Sequence, residues 1–287
     1  MSNAQMRKIR KIAIVTNNGR LKLKALAHEL AQVAREAGME VLLPQDYPLK
    51  RGALAGCDAC ATLGGDGTLL GVVQEAAAHD VPIFGINRGK LGFLANHPSD
   101  DATQSLLAVL RGEYQVSKRL LLECSFDGGS QWRVALNDIV VQTHSRTHMA
   151  YFCVSSDNEF VNSFLCDGLI FATPTGSTAY NLSAGGPLLE PTAEVFTLTP
   201  ICPHSLSNRS IVFPASLALR TNFKDKPCQI LGCGALELRV AVDGVETLVG
   251  SASSLALQVR VARTKLTLLH PPGFSHFSLL RNKLRWN

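Results

Sequence analysis

The chain has 287 residues, 46% of them hydrophobic, and a formal net charge of +5. That length supports two domains, each with its own core, and so mild a basic excess lacks the concentrated charge of a nucleic-acid binder. No apolar run reaches the ~18 residues that span a bilayer, and the apolar stretch 12–15 after the basic start is too short for a signal-peptide core. The sequence therefore points to a cytoplasmic protein with no nucleic-acid or membrane partner.

Residues 11–16 read as a buried strand, and 21–37 carry a helical apolar stripe (Leu23, Leu26, Leu30, Val33, Ala34) closed by Gly38. Strands follow at 39–43 and 59–63. The second runs into Gly64-Gly65-Asp66-Gly67-Thr68 and then into helical spacing that ends near His79. Strand, tight turn and helix in that order suit a phosphate: glycines let the backbone approach closely, and the first free N–H groups of the helix face an anion. Asp66 is the odd member, because a carboxylate beside a phosphate repels it unless it binds a metal or takes a proton. A strand at 81–86 leads to a basic loop with Arg88 and Lys90, and Ser99 is placed to cap a helix running to about Arg111. Alternating strands and helices predict a doubly wound, Rossmann-like α/β domain over residues 5–113, with its ligand crevice at the carboxyl ends of the strands.

From about Tyr114 the period changes to that of strands: 120–126, 132–141, 149–155, 160–165, 211–223, 236–242 and 255–261. An antiparallel β-sandwich over 114–263 is expected, with 264–287 returning as a last strand and a basic helix that completes the first domain. The segment 167–189 breaks the pattern. It is rich in Gly, Ser and Thr and reads as a long polar loop, which is usually functional. Eight cysteines at irregular spacing behave as small buried hydrophobes, and neither they nor the eight histidines form a zinc pattern. Asn137-Asp138 on a predicted strand and the hydroxyl-rich loop together suit a ribose, whose hydroxyls both donate and accept. Phosphates at one end and sugar hydroxyls at the other imply a nucleotide, and phosphoryl transfer to a sugar hydroxyl.

Five segments carry a closer resemblance: GGDGT at 64–68, GINRGKLGFL at 85–94, LND at 136–138, DGLIFATPTGSTAYNLSAGGP at 167–187 and PHSLSNRSIVF at 203–213. In these the chain resembles the bacterial NAD kinases. The resemblance implies transfer of a phosphoryl group from ATP to the adenosine-ribose 2′-hydroxyl of NAD, with Mg²⁺ or another divalent metal and a homodimeric or homotetrameric assembly. It implies that Asp66 is the proton acceptor or metal-binding carboxylate, and that Gly64, Gly65, Gly67 and Thr68 receive the ATP phosphates. On the NAD side it implies Asp66, Gly67, Asn137, Asp138, His148, Asp167 and the run Thr178, Ala179, Tyr180, Asn181, Leu182 and Ser183, with the dinucleotide lying in the crevice between the domains. Leu165 and Val245 stand where the family commonly has Arg and Gln, and Asp138 replaces a commoner Glu. NAD or NADH, and ATP or polyphosphate, stay open. A lipid kinase of the diacylglycerol or sphingosine type and a nucleotide sensor without turnover are the competing readings of the GGDG turn.

Overall fold

The computed structural model describes residues 8–17, 21–87, 92–98, 101–126, 129–144, 149–156, 159–224, 237–251 and 256–286. The chain divides into two compact units, residues 1–118 with 266–287, and residues 119–265.

The first unit runs β1 (Lys11–Thr16), α1 (Leu21–Glu36), β2 (Glu40–Leu42), β3 (Ala59–Leu63), α2 (Asp66–Leu70), α3 (Val73–Ala78), β4 (Ile83–Asn87), β5 (His97–Pro98), α4 (Ala102–Leu110) and β6 (Gln115–Arg119). The chain returns to it as β19 (Leu266–His270) and α6 (His276–Leu284). The strands make one sheet in the order β2-β1-β3-β4-β19-β6, with β5 on β4. Pairing of β1 with β2 and β3, and of β4 with β3, β5 and β19, is parallel. Central strands β3 and β4 are buried along their whole length, as a sheet covered on both faces requires. Leu30, Ala34, Leu106 and Val109 from α1 and α4 pack on Ile12, Ile14, Ala61 and Phe84. Gly38 takes a φ of +83° and closes α1, with Met39 N–H on Ala34 C=O.

Two local expectations change. The cap of α4 is Asp101, whose side chain accepts Gln104 N–H; Ser99 lies outside the described residues. The helix after the glycine turn is broken in two at Gly71 and Val72. A Cβ at Gly71 would overlap the Tyr47 ring, whose hydroxyl donates to Gly67 C=O at 2.9 Å, so the tyrosine fills the break.

The second unit runs β7 (Leu122–Ser125), β8 (Arg133–Ala135), β9 (Asp138–Thr143), β10 (Ala150–Ser156), β11 (Glu159–Cys166), β12 (Gly168–Ala172), α5 (Tyr180–Ser183), β13 (Val195–Ile201), β14 (Ile211–Pro214), β15 (Ala218–Lys224), β16 (Glu237–Val242), β17 (Val245–Ser251) and β18 (Ala256–Val261). They form two sheets, β11-β10-β15-β18-β7-β8 and β14-β13-β12-β9-β16-β17, and every described pairing within them is antiparallel. One continuous core from both inner faces, including Phe152, Phe164, Leu219 and Val259 against Val141, Phe171, Phe196 and Val240, makes them a sandwich.

Four expectations change here. The segment expected as one strand over 132–141 is cut at 136–137, where the chain leaves one sheet for the other. The polar loop is shorter than expected, because 168–172 forms the buried strand β12. Its Gly168 lies so close to Gln142 that any side chain would collide. Strand β13 at Val195–Ile201 was not expected; Phe196 and Leu198 enter the core, and Thr197 and Thr199 are buried on the opposite face beneath Asn181. The 211–223 strand is also split, at 215–217, into β14 and β15.

Candidate active site

In the first unit the chemistry gathers at the carboxyl end of β3. Gly64 has a φ of +148°, and a Cβ there would run into the Thr68 hydroxyl, so no other residue fits. Thr68 is buried against that glycine, and Gly64 N–H is tied to Ile86 C=O on β4 at 3.0 Å. Gly65 and Gly67 are exposed, with no protein atom within 4 Å of where a Cβ would stand. Their lack of a side chain leaves open space over the turn.

The Asp66 side chain turns away from that turn toward the segment after β4. One oxygen, Oδ1, accepts N–H groups from Leu94 (3.1 Å) and Ala95 (2.9 Å), and Oδ2 accepts Phe93 N–H at 2.9 Å. Three consecutive amides thus grip one carboxylate. Of its four acceptor positions, the one left among the described residues is on Oδ2. Gly92 permits the grip, because a Cβ there would coincide with the carboxylate. The GINRGKLGFL segment at 85–94 contains residues 92–94 of this grip, but the sequence assigned them no role, and Ala95 lies just beyond it. Behind them Asn96 Nδ2 meets His270 Nδ1 at 2.8 Å, and His97 Nε2 meets Leu269 C=O at 3.0 Å, so β19 holds the amide segment in place. Burial holds His97 below the usual imidazole range. Arg88 and Lys90 lie outside the described residues.

In the second unit Asn137 and Asp138 stand at the corner between the sheets. Asp138 is 5% exposed, and burial, followed by the charge of Asp243, pushes its carboxyl up to about 7. Asp243 was read from the sequence only as part of an Asp-Gly turn. Its carboxylate accepts N–H from Leu136 (2.8 Å), Asn137 (2.7 Å) and Asp138 (3.2 Å), and burial still lifts it to about 6 against these three bonds. Gly176 packs on the Asn137 backbone so tightly that a Cβ would overlap it. The Thr175 hydroxyl beside it is buried without a partner among the described residues.

The polar loop folds as a 3-10 turn (Gly176–Thr178) and the single turn of α5. Thr178 donates to Thr175 C=O, Ala179 and Leu182 are half-buried, and Tyr180 and Ser183 are exposed. Asn181 faces inward: its amide donates to Pro187 C=O at 3.1 Å and accepts the hydroxyls of Thr197 (3.2 Å) and Thr199 (2.7 Å). Its side chain pins the loop to β13. Asp167 is the second sheet-crossing corner, bonded through its backbone to Thr143 and Ile201. It is not brought together with Asp138. Asp138 pairs with Ala172 at one end of the β9–β12 ladder and Asp167 meets Thr143 at the other, roughly 17 Å apart at the rise of an extended strand. Leu165 is half-buried on β11, Val245 is 60% exposed on β17, and His148 lies outside the described residues.

A glycine turn with a gripped carboxylate on a parallel sheet, and a β-sandwich carrying a buried carboxylate pair, define a two-domain kinase of the Gly-Gly-Asp-Gly class. Comparison with known proteins narrows the class. Family profiles for the ATP-NAD kinase N-terminal and C-terminal domains match residues 12–114 and 136–259. A Neisseria meningitidis serogroup B (strain ATCC BAA-335 / MC58) NAD kinase is 37% identical over 295 residues, covering 96% of each chain. An Escherichia coli O7:K1 (strain IAI39 / ExPEC) NAD kinase is 37% identical over 265 residues, covering 87% of each. Among solved structures, an Archaeoglobus fulgidus NAD kinase in complex with ATP superposes with a TM-score of 0.75 at 26% identity, covering 96% of this chain and 98% of that one. A yeast NADH kinase complexed with NADH shares the fold, with a TM-score of 0.85 at 23% identity, covering 98% and 88%. The chain belongs to the ATP-NAD kinase family.

Proposed function

We propose that the protein transfers the γ-phosphoryl group of ATP to the adenosine-ribose 2′-hydroxyl of NAD, giving NADP and ADP. The carrying observation is the Asp66 carboxylate, fixed by three amides with one acceptor position on Oδ2 left over among the described residues. That position takes the 2′-hydroxyl proton as the ribose oxygen bonds to the γ-phosphorus and the bond to the ADP oxygen breaks. A base held in advance needs no reorientation during the reaction. Gly65 and Gly67 give the ATP phosphates room over the turn, and Gly64 and Thr68 hold its shape. Asn137 and Asp138 bind ribose hydroxyls of NAD, the run Thr178 to Ser183 holds its adenine and nicotinamide portions, and Asp167 serves the nicotinamide end. These assignments make residues 5–113 with 264–287 the domain of the ATP phosphates and 114–263 a domain of NAD.

Among the described residues no three His, Cys, Asp or Glu side chains gather. A magnesium ion would be held mainly by substrate phosphates with one or two protein carboxylates, Asp66 being the candidate. When bound, a divalent cation neutralises charge on the phosphates. No helix among the described residues is long and apolar enough to cross a membrane, and the loop over the sandwich presents small polar groups, which favours NAD over a lipid acceptor. We place the enzyme in the cytoplasm as a homo-oligomer.

The test is a coupled assay for NADPH formation, run with NAD and NADH and with ATP and polyphosphate side by side. Asp66→Asn is expected to lose roughly 10²- to 10⁴-fold in kcat. An unchanged kcat would remove Asp66 from the proton transfer, and phosphorylation of a lipid but not of NAD would replace the substrate.

A further inference from the structure

The Asn137-Asp138 corner has no ladder on either side at its turning point, yet its backbone is fully committed. All three N–H groups of Leu136, Asn137 and Asp138 go to the Asp243 carboxylate. The three C=O groups are taken by the Thr173 hydroxyl (Leu136), Thr173 N–H (Asn137, 2.9 Å) and Asp243 N–H (Asp138, 2.9 Å). The Thr173 hydroxyl also accepts Gly176 N–H at 3.0 Å, which seats the glycine on Asn137. Asp243 does this from the left-handed conformation, φ +48°, of the Asp243-Gly244 loop that joins β16 to β17, a place that aspartate followed by glycine favours. A sheet corner could be closed by any turn; this one is closed by two side chains that act on a single tripeptide.

We infer that Asp243 and Thr173 are the positioning residues of the ribose-binding pair, clamping residues 136–138 from opposite edges so that the Asn137 and Asp138 side chains are fixed before NAD arrives. The inference rests on the ribose assignment of that pair. Neither clamp residue needs to touch substrate. Asp243 has a second effect through charge. Ala172 lies opposite Asp138 on β12, and Val242 opposite Ile139 on β16, both apolar. Asp243 is the charged group that acts on the Asp138 carboxyl, raising it in addition to burial.

Steady-state kinetics of the full-length enzyme with NAD and ATP test this on Asp243→Asn, Thr173→Val, Thr173→Ser and Asp138→Asn. Asp243→Asn and Thr173→Val are expected to raise KM for NAD roughly 10- to 100-fold, the scale on which misplacing a binding group acts, while KM for ATP stays within about twofold. Thr173→Ser, which keeps the hydroxyl, restores KM. In Asp243→Asn the acid limb of kcat/KM for NAD moves to lower pH, because the neighbouring negative charge is gone; a merely structural residue would leave that limb in place. The threonine pair carries the same test if Asp243→Asn does not fold. If Asp138→Asn raises KM for NAD and the clamp variants do not, or if they raise both KM values equally, the inference fails while the ribose assignment stands. If none of the variants moves KM for NAD, the assignment fails and takes the inference with it.

Discussion

The Asp66 carboxylate occupies the space where a Cβ on Gly92 would stand. One residue's missing side chain therefore decides whether the other can reach the amides of Phe93, Leu94 and Ala95. Gly92→Ala should push Asp66 off its three donors without placing strain on its own backbone. The expected result is a loss on the order of 10² in kcat with the fold retained, read from NADPH formation beside circular dichroism. Full activity in a folded Gly92→Ala enzyme would show that the grip on Asp66 is not needed.

Gly65 and Gly67 predict the opposite pattern. No protein atom opposes a methyl group at either position, and Gly67 lies within α2. Gly67→Ala should raise stability by up to about 1 kcal/mol through helix propensity, while both alanines raise KM for ATP by crowding the phosphates. Thermal melting and ATP titration on the same samples separate the two effects.

Asp138 makes stability and function pull apart with pH. Its carboxyl titrates at about 7 in the folded protein, above the ordinary 3.8, so the native state holds a proton that the unfolded chain has released. Stability contributed by that group therefore falls as pH rises from about 4 to about 7, and the loss is complete above. Asp138→Asn should gain on the order of 4 kcal/mol over wild type at pH 8 and nothing at pH 4, measured by urea midpoints, while binding NAD more weakly.

The first unit carries the reverse slope. Burial beside Phe84 holds His97 below the ordinary imidazole range, so the unfolded chain binds a proton that the native state refuses. Stability is lost as pH falls below about 6.5. His97→Gln should be less stable than wild type at pH 7.5, with the difference narrowing toward pH 5.5; a constant difference in melting temperature over that range would contradict the assignment.

Asn181 belongs to the run expected to bind NAD, and its side chain is engaged within the protein. Asn181→Leu strands the Pro187 carbonyl and the Thr197 hydroxyl and leaves Thr199 with Ser210 alone. Unsatisfied buried groups of this kind cost about 1–3 kcal/mol each. A fall in melting temperature together with a higher KM for NAD is expected; weaker NAD binding at unchanged stability would favour direct contact.

The sequence shows some of these features and conceals others for identifiable reasons. Parallel strands and their helices are visible because apolar runs and helical stripes repeat over many residues, as in α1 and β3. The glycine turn and the Asn137-Asp138 pair are visible because their residue types are unusual in their places. Asp243 was not, since an aspartate before a glycine fits an ordinary turn, and nothing local reveals that its partners lie more than a hundred positions earlier. Strand β13 escaped for a related reason: its threonines are polar by type but satisfied by Asn181, a pairing invisible to periodicity. Loop and strand were confused at 168–172 because Gly168 is there to pass close to Gln142, not to bend the chain freely.

Strand β19 sits between β4 and β6 in the sheet that carries Asp66, although residues 119–265 come before it in the chain. The sheet that carries Asp66 is therefore completed by a segment on the far side of the sandwich in sequence, and Leu269 and His270 of that segment back the amides that hold Asp66. A cut anywhere within 119–265 would thus leave the Asp66 sheet dependent for an inner strand on a fragment no longer covalently tied to it.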